Sequence, residues 1–303
     1  MSQQRLSLGG YFLLISVIIG WGTSWPFLKI GLSEIPVLTY RGLIAPSAAI
    51  FMFSIGIMLG KDMRVPKNHL KFLIPVSFFN ILLWHVFSAW GISLLESGQA
   101  SIIAYTMPLW AVIFSIILNN DKPHLQCIIG LILGILGLLA LALGDIGIFN
   151  ISPLGSIMML IAAISWGAGT AIHKSVAWNM PTIALAGWQL LIGGLPITVA
   201  AIFLESHLWP NIINTISLDA VLATLLILSY PIIFCWFAWF KIVSEVPVSV
   251  SAVSIMLVPV IGVLSGHLIL GEKIGLKEVA SLSLVCGALV LVLLPPFKKI
   301  KKF

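Results

Sequence analysis

Ser97 to Lys122 reads SGQASIIAYTMPLWAVIFSIILNNDK. It is an apolar stretch of helix length, with Pro108 inside it and the acid-base pair Asp121-Lys122 just past its end. The chain repeats this design. Pro247 to Lys273 reads PVSVSAVSIMLVPVIGVLSGHLILGEK, and its Pro259 and Glu272-Lys273 each stand 151 residues after their counterparts. A polar, small-residue start, a mid-segment proline and an acid-Lys exit, recurring at one offset in 303 residues, point to a duplicated unit. Other pairs fall in step. Trp21-Gly22 and Lys29 recur as Trp166-Gly167 and Lys174, 145 residues later, and Ala89-Trp90 recurs as Ala238-Trp239, 149 residues later. The offset drifts in one direction, as small loop insertions would make it.

Hydrophobic residues make up 60% of the chain and charged residues 9%, with a mean hydropathy of +1.13. A soluble domain carries about a quarter charged residues, so this chain cannot cover an aqueous surface. It is an integral membrane protein, with the lipid bilayer as its first partner. The net charge of +6 would suit a nucleic acid, but the hydropathy excludes that partner. Cys127, Cys235 and Cys286 all fall in apolar segments and read as buried small hydrophobes, neither a disulfide framework nor a metal site. Arg5 and the apolar run after it resemble a signal peptide. The run from Gly10 to Ile30 is long enough to span, however, and no small-residue cleavage site follows, so it is the first span.

A hydrocarbon layer about 30 Å thick needs about 20 helical residues. That ruler places ten spans, near 10–30, 37–59, 71–94, 99–119, 125–144, 152–173, 182–203, 218–241, 248–270 and 276–295. The runs are continuously apolar, without the alternation of a membrane barrel, so the fold class is all-α. The first repeat covers 1–147 and the second 148–303, with five spans in each. An odd number of spans forces the second copy to insert upside down, giving an inverted pair. With both termini in the cytoplasm, 12 of the 16 Lys and Arg residues lie inside and 4 outside, the positive-inside pattern of a plasma membrane protein. The terminal KKIKKF is then a basic orientation anchor.

Pro108 and Pro259 each remove a backbone hydrogen bond within a span, and breaks at matching places in two repeats point to a transport site. Gly130, Gly134 and Gly137 form a small-residue stripe, read as internal helix packing. Trp21 and Trp166 sit mid-span, away from the interfacial belt. The third span carries Trp84, His85 and Trp90, the fourth Tyr105, and the eighth Tyr230, Trp236 and Trp239. Indole N–H and phenol O–H groups need partners in hydrocarbon, so these residues face protein or a wet, aromatic-walled cavity. No Asp or Glu lies at the centre of a span, which disfavours a carboxylate proton relay. His85 is the one deep histidine of the first repeat. Lys29, Arg41, Lys174 and Lys241 snorkel to headgroups by default, with Lys29 and Arg41 as the pair to attract an anion at the outer mouth. The signatures H-E-x-x-H, G-x-S-x-G and the Walker loop are all missing, so no catalytic residue, metal or cofactor is expected.

Two five-helix repeats, Trp-Gly in the first helix of each, the AYTMPLW segment and the D/E-K that closes spans four and nine resemble the EamA-type drug/metabolite transporter superfamily. The likeness covers essentially the whole chain. It implies a ten-helix inverted-repeat carrier of the bacterial inner membrane, in a family many of whose members export amino acids and related metabolites. It also implies that helices 1, 3, 4, 6, 8 and 9 surround a central cavity while 5 and 10 brace it. Asn120-Asp121 departs from the Gly271-Glu272 of the second copy, which argues against a shared chemistry for the acid. The expected substrate-binding residues are Trp21, His85, Trp90, Tyr105, Trp166, Tyr230 and Trp236, with Gln99, Ser101 and Ser251 as polar contacts. Pro108 and Pro259 are the expected hinges. The expected partner is a small-molecule substrate, carried by a monomer or weak homodimer. The rival reading is a lipid flippase or other membrane-embedded lipid-handling protein that gathers anionic headgroups at the basic segment Lys61 to Lys71. A solute sensor or a channel is a third.

Overall fold

The computed structural model describes residues 8–119, 125–143, 152–236, 238–239 and 257–293. Among them there is no strand, and the apolar segments fold as ten helical spans. These are α1 (Leu8–Glu34), α2 (Val37–Met58), α3 (Lys67–Leu94), α4 in two pieces, α5 (Leu125–Leu143), α6 (Pro153–Lys174), α7 (Thr182–Glu205), α8 (Leu218–Phe234), α9 (Leu257–Leu270) and α10 (Leu276–Leu293). The pieces of α4 are α4a (Ser97–Ala104) and α4b (Met107–Asn119). α1, α2, α3, α4, α6 and α7 are long and apolar enough to cross a membrane, and α5, α8 and α9 are shorter apolar helices. The protein is a multi-pass membrane protein.

Local chemistry sets the helix ends. Ser152 and Ser217 accept from the backbone N–H of Gly155 and Ala220, both at 3.1 Å, and so cap α6 and α8. Pro36 and Pro181 precede α2 and α7 in extended conformation. Gly271 closes α9 at φ +69°, a left-handed conformation that a Cβ would disfavour.

Helix packing carries the duplication into three dimensions. α2 packs on α7, α5 on α10 and α4a on α9. α3 packs on α6 as α8 packs on α1, and α4b packs on α6 as α9 packs on α1. Exchanging each helix with the one five places later leaves this pattern unchanged, the mark of two repeats related by a pseudo-twofold. The glycine stripe of α5 does pack internally. A Cβ on Gly137 would come within 2.9 Å of Val285 Cγ2, one on Gly130 within 3.0 Å of Ala288 O, and the Ser281 hydroxyl donates to Gly137 O at 2.7 Å. α5 and α10 therefore form a close brace, as the resemblance implies.

Two helices carry a π-helical stretch. The segments are Phe78–Leu83 of α3 and Leu228–Phe234 of α8, and they begin 150 residues apart. Each wide turn lies against the other repeat. The first puts Asn80 against Gly169 of α6, and the second offers Pro231 O to the Trp21 indole of α1 at 3.1 Å. Such π turns recur at functional sites.

Candidate functional site

The aromatic residues of the spans converge where the repeats meet. Trp84 of α3 lies with its ring centroid 5.0 Å from that of Trp166 on α6, and Trp166 lies 6.3 Å from Trp236, which follows α8. Trp236 lies 6.2 Å from Trp21 on α1, and Trp21 lies 5.5 Å from Trp239. All five rings are half-buried and meet at tilted or edge angles favoured by aromatic quadrupoles. Trp21 of α1 meets Trp239, which lies past the end of α8, and Trp166 of α6 meets Trp84 of α3, with Trp236 linking the two pairs; Trp84 and Trp239 are not equivalent positions of the two repeats. Trp21 and Trp166 thus face the seam between the repeats.

The other expected residues lie around this seam at different depths. Tyr105 is buried at the break between α4a and α4b, edge-on to Trp25 with centroids 6.4 Å apart. Pro108 stands second in α4b and supplies that break, because no N–H follows to continue the helix from α4a. Tyr230 donates to Ser16 O at 2.8 Å, tying α8 to α1. Gln99 and Ser101 are fully buried. Gln99 Nε2 donates to Glu278 Oε1 at 3.3 Å, and Ser101 Oγ donates to Gly98 O at 2.7 Å while facing Gly262 of α9. Pro259 is buried near the start of α9. Trp90 is 39% exposed against Phe87, apart from the ring chain. Ser251 lies outside the described residues, as do Asp121, Lys122 and both termini.

Several features go beyond the sequence reading. Trp84 and Trp239, outside the expected lining, are the ring partners of Trp166 and Trp21. The repeat offset alone pairs Trp239 with Trp90, so it misplaces the aromatic partner in the first half. Arg41 does not snorkel. It is 4% exposed and donates from Nη2 to Ser88 Oγ at 3.2 Å, with His85 one turn away on the same face of α3. Its signal was its place five residues inside a span.

At one end of the molecule the span-terminal acids act as caps for helices of other spans. Glu272 accepts from Ser97 N–H at 2.6 Å, Gly98 N–H at 3.0 Å and the Ser97 hydroxyl at 2.8 Å, and pairs with Lys29 at 3.3 Å. Glu205 takes the N–H groups of Leu38 and Thr39 at 3.1 and 2.6 Å, and Glu34 takes Ser217 N–H at 2.6 Å. Anions at helix N-termini are favoured by the helix dipole. Burial pushes the Glu272 carboxyl up, but the hydrogen bonds from Ser97 and Gly98, with Lys29, outweigh it and hold the group below the ordinary carboxylate value. This rim closes α4a against α9 above the aromatic chain.

The comparisons agree with this architecture. The model of the EamA-like transporter family matches residues 8–143 and again 153–294. The uncharacterized transporter YoaV of Bacillus subtilis (strain 168) is 28% identical over 90% of this chain and 92% of its own length. A protein of Salmonella typhimurium named "Probable amino-acid metabolite efflux pump" is 26% identical over 92% of each chain. A solved chain described only as "Crystal structure of protein" shares the fold, with a TM-score of 0.66 at 17% identity, covering 93% of this chain and 96% of that one. Two matched repeats, an all-helical membrane fold and whole-length relatives named as transporters lead to one conclusion: this chain belongs to the EamA-like transporter family.

Proposed function

We propose that this protein exports small metabolites of the amino-acid type across a bacterial inner membrane by alternating access, its two repeats rocking about the aromatic seam. One observation carries the reading, the half-buried chain of indole rings that crosses from one repeat to the other through Trp236. A pathway wall built by both halves changes shape when the halves tilt. Two relatives named as probable amino-acid metabolite efflux pumps, from Salmonella typhimurium and Escherichia coli at 26% and 23% identity, support the substrate class. Trp21, Trp166, Trp236 and Tyr105 line the pathway, His85, Gln99, Ser101 and Ser251 give polar contacts, and Trp90 and Tyr230 flank it. Pro108 and Pro259 are the pliable points. With both termini in the cytoplasm, the capped rim is the outer gate, closed in this conformer.

The test is efflux from vesicles reconstituted with purified protein and loaded with labelled amino acids. Trp166→Ala and Tyr105→Ala are expected to lower the rate at least about a hundredfold, as lost substrate positioning does, with expression unchanged. Undiminished efflux by either variant removes that residue from the pathway.

One observation bears on the lipid-handling alternative. An apolar groove of about 330 Å³ lies between α2, α7 and the short helix Trp209–Thr215. Its hydroxyls are already committed, Thr39 to Glu205 and Trp209, and Thr198 to Gly42 O. The groove suits an acyl chain and offers nothing to a headgroup.

A further inference from the structure

Arg41 is the most buried Lys or Arg among the described residues, and apart from the ring of the neighbouring Tyr40, whose centroid is 5.9 Å from its guanidinium carbon, its surroundings there do little to repay its burial. It is 4% exposed, its one hydrogen bond among the described residues goes to the neutral Ser88 hydroxyl at 3.2 Å, and its Nε has no partner. His85, 7% exposed, lies one turn from Ser88 on the same face of α3, and its Nδ1 is also without a partner. A buried charge without a counter-ion costs several kcal/mol, and an ionisable group inside a membrane span is a functional site by default.

The duplication supplies a control within the chain. Pro36 and Gly42 recur as Pro181 and Gly187, 145 residues later, which sets Arg41 against Ala186. The 149-residue offset of Ala89-Trp90 and Ala238-Trp239 sets His85 against Phe234 and Ser88 against Phe237. All three aligned positions are apolar in the second copy, so the cluster belongs to the first repeat alone.

Their position relates them to the aromatic seam. Ser88 is one helical turn from Trp84 on the same face of α3, and Trp84 is the first ring of the chain. From this geometry we infer that Arg41, with Ser88 and His85, binds the carboxylate of the transported solute at the rim-side end of the seam. The substrate class is then a small carboxylate whose apolar or aromatic remainder lies against the indole rings. A guanidinium presents a planar fork that matches a carboxylate with two parallel hydrogen bonds. The free Nε belongs to that fork, and His85 Nδ1 can supply a further donor. The inference rests on the carrier reading for its word "transported" and on the cluster alone for the binding site.

The test uses the full-length protein in detergent and follows tryptophan fluorescence during titration with phenylacetate and with its neutral isostere phenylacetamide. Phenylacetate is expected to quench with an affinity at least about tenfold tighter than the amide, as charge-assisted hydrogen bonds allow. Arg41→Gln should abolish that preference and, without ligand, melt no lower than the wild type, because removing an unpaired buried charge relieves strain. Arg41→Lys keeps the charge and should retain part of the preference. Equal affinity of the two probes for the wild type overturns the inference, and so does a preference that survives Arg41→Gln. A ligand-free Arg41→Gln protein that melts lower assigns the guanidinium to the scaffold and overturns it too. Displacement of phenylacetate by phosphatidylglycerol micelles gives the site to a lipid headgroup, again against the inference. Efflux assays separate the two readings. Vesicles that release neutral solutes without favouring carboxylates keep the carrier and lose this site. Vesicles that release nothing, with a carboxylate-specific quench, keep the site and lose the carrier.

Discussion

The two repeats meet in two different ways. At the α5–α10 brace, glycines let the helices touch, with Ala288 O and Val285 within 3.0 Å of where a Cβ would stand on Gly130 and Gly137. Such a contact has one geometry and no room. At the seam the halves meet through large rings at tilted angles, half-buried, beside two π-helical turns and a buried guanidinium that has no carboxylate partner among the described residues. Half-buried rings at tilted angles leave room to shift, whereas the glycine contacts are close and leave little. In the proposed carrier cycle the brace would hold the halves together and the seam would be where they move.

The sharpest way to break this contrast is to fill the brace. Gly137→Leu would drive a branched side chain into Val285 and Leu284, and overpacking of this kind costs about 3 kcal/mol. A thermal melt in detergent should show that loss, while a wild-type melting temperature would mean that the brace is loose. Next is the rim. Glu272→Ala leaves the N–H groups of Ser97 and Gly98 uncapped and should lower stability by about 2 kcal/mol at neutral pH. The carboxyl titrates below the ordinary carboxylate value, so its contribution is complete above that value and is lost as pH falls through the lowered one. The gap between variant and wild type should close at acid pH, and a gap independent of pH would contradict the capping role. The smallest effect belongs to Glu96, between α3 and α4a. Burial first, then the carboxylates of Glu272 and Glu278, push its carboxyl above the ordinary value against the pull of Lys29 and Lys277. The charged form is therefore disfavoured in the folded protein, and Glu96→Gln should slightly raise the melting temperature at neutral pH. That gain should vanish once the pH is low enough to protonate the glutamate in both states.

Much of the fold is legible in the sequence because hydropathy and repetition are local signals. The offsets of Pro108 with Pro259 and of Trp21 with Trp166 announce the inverted halves, and the glycines of α5 announce the brace. What stays hidden depends on contacts made far along the chain. Glu272 caps a helix 175 residues away, and no spacing rule links it to Ser97. The π turns replace ordinary helix where α3 and α8 meet the other repeat, so no periodicity marks them. Trp84 and Trp166 pair across the boundary between the repeats, a contact that only the folded chain makes. Arg41 was visible as a charge inside a span. Its burial, five residues from a helix end where a snorkelling chain reaches water, depends on how α3 packs over it.

The central claim is that α4a and α9 part at the rim once in every transport cycle. A disulfide between Gly98→Cys and Val263→Cys tests it, since a Cβ on Gly98 would stand 3.2 Å from Val263 Cα. The pair belongs in a background in which Cys127, Cys235 and Cys286 are replaced by alanine. In reconstituted vesicles the oxidised protein is predicted to carry no solute and to recover on reduction. Undiminished transport by fully cross-linked protein would contradict the account.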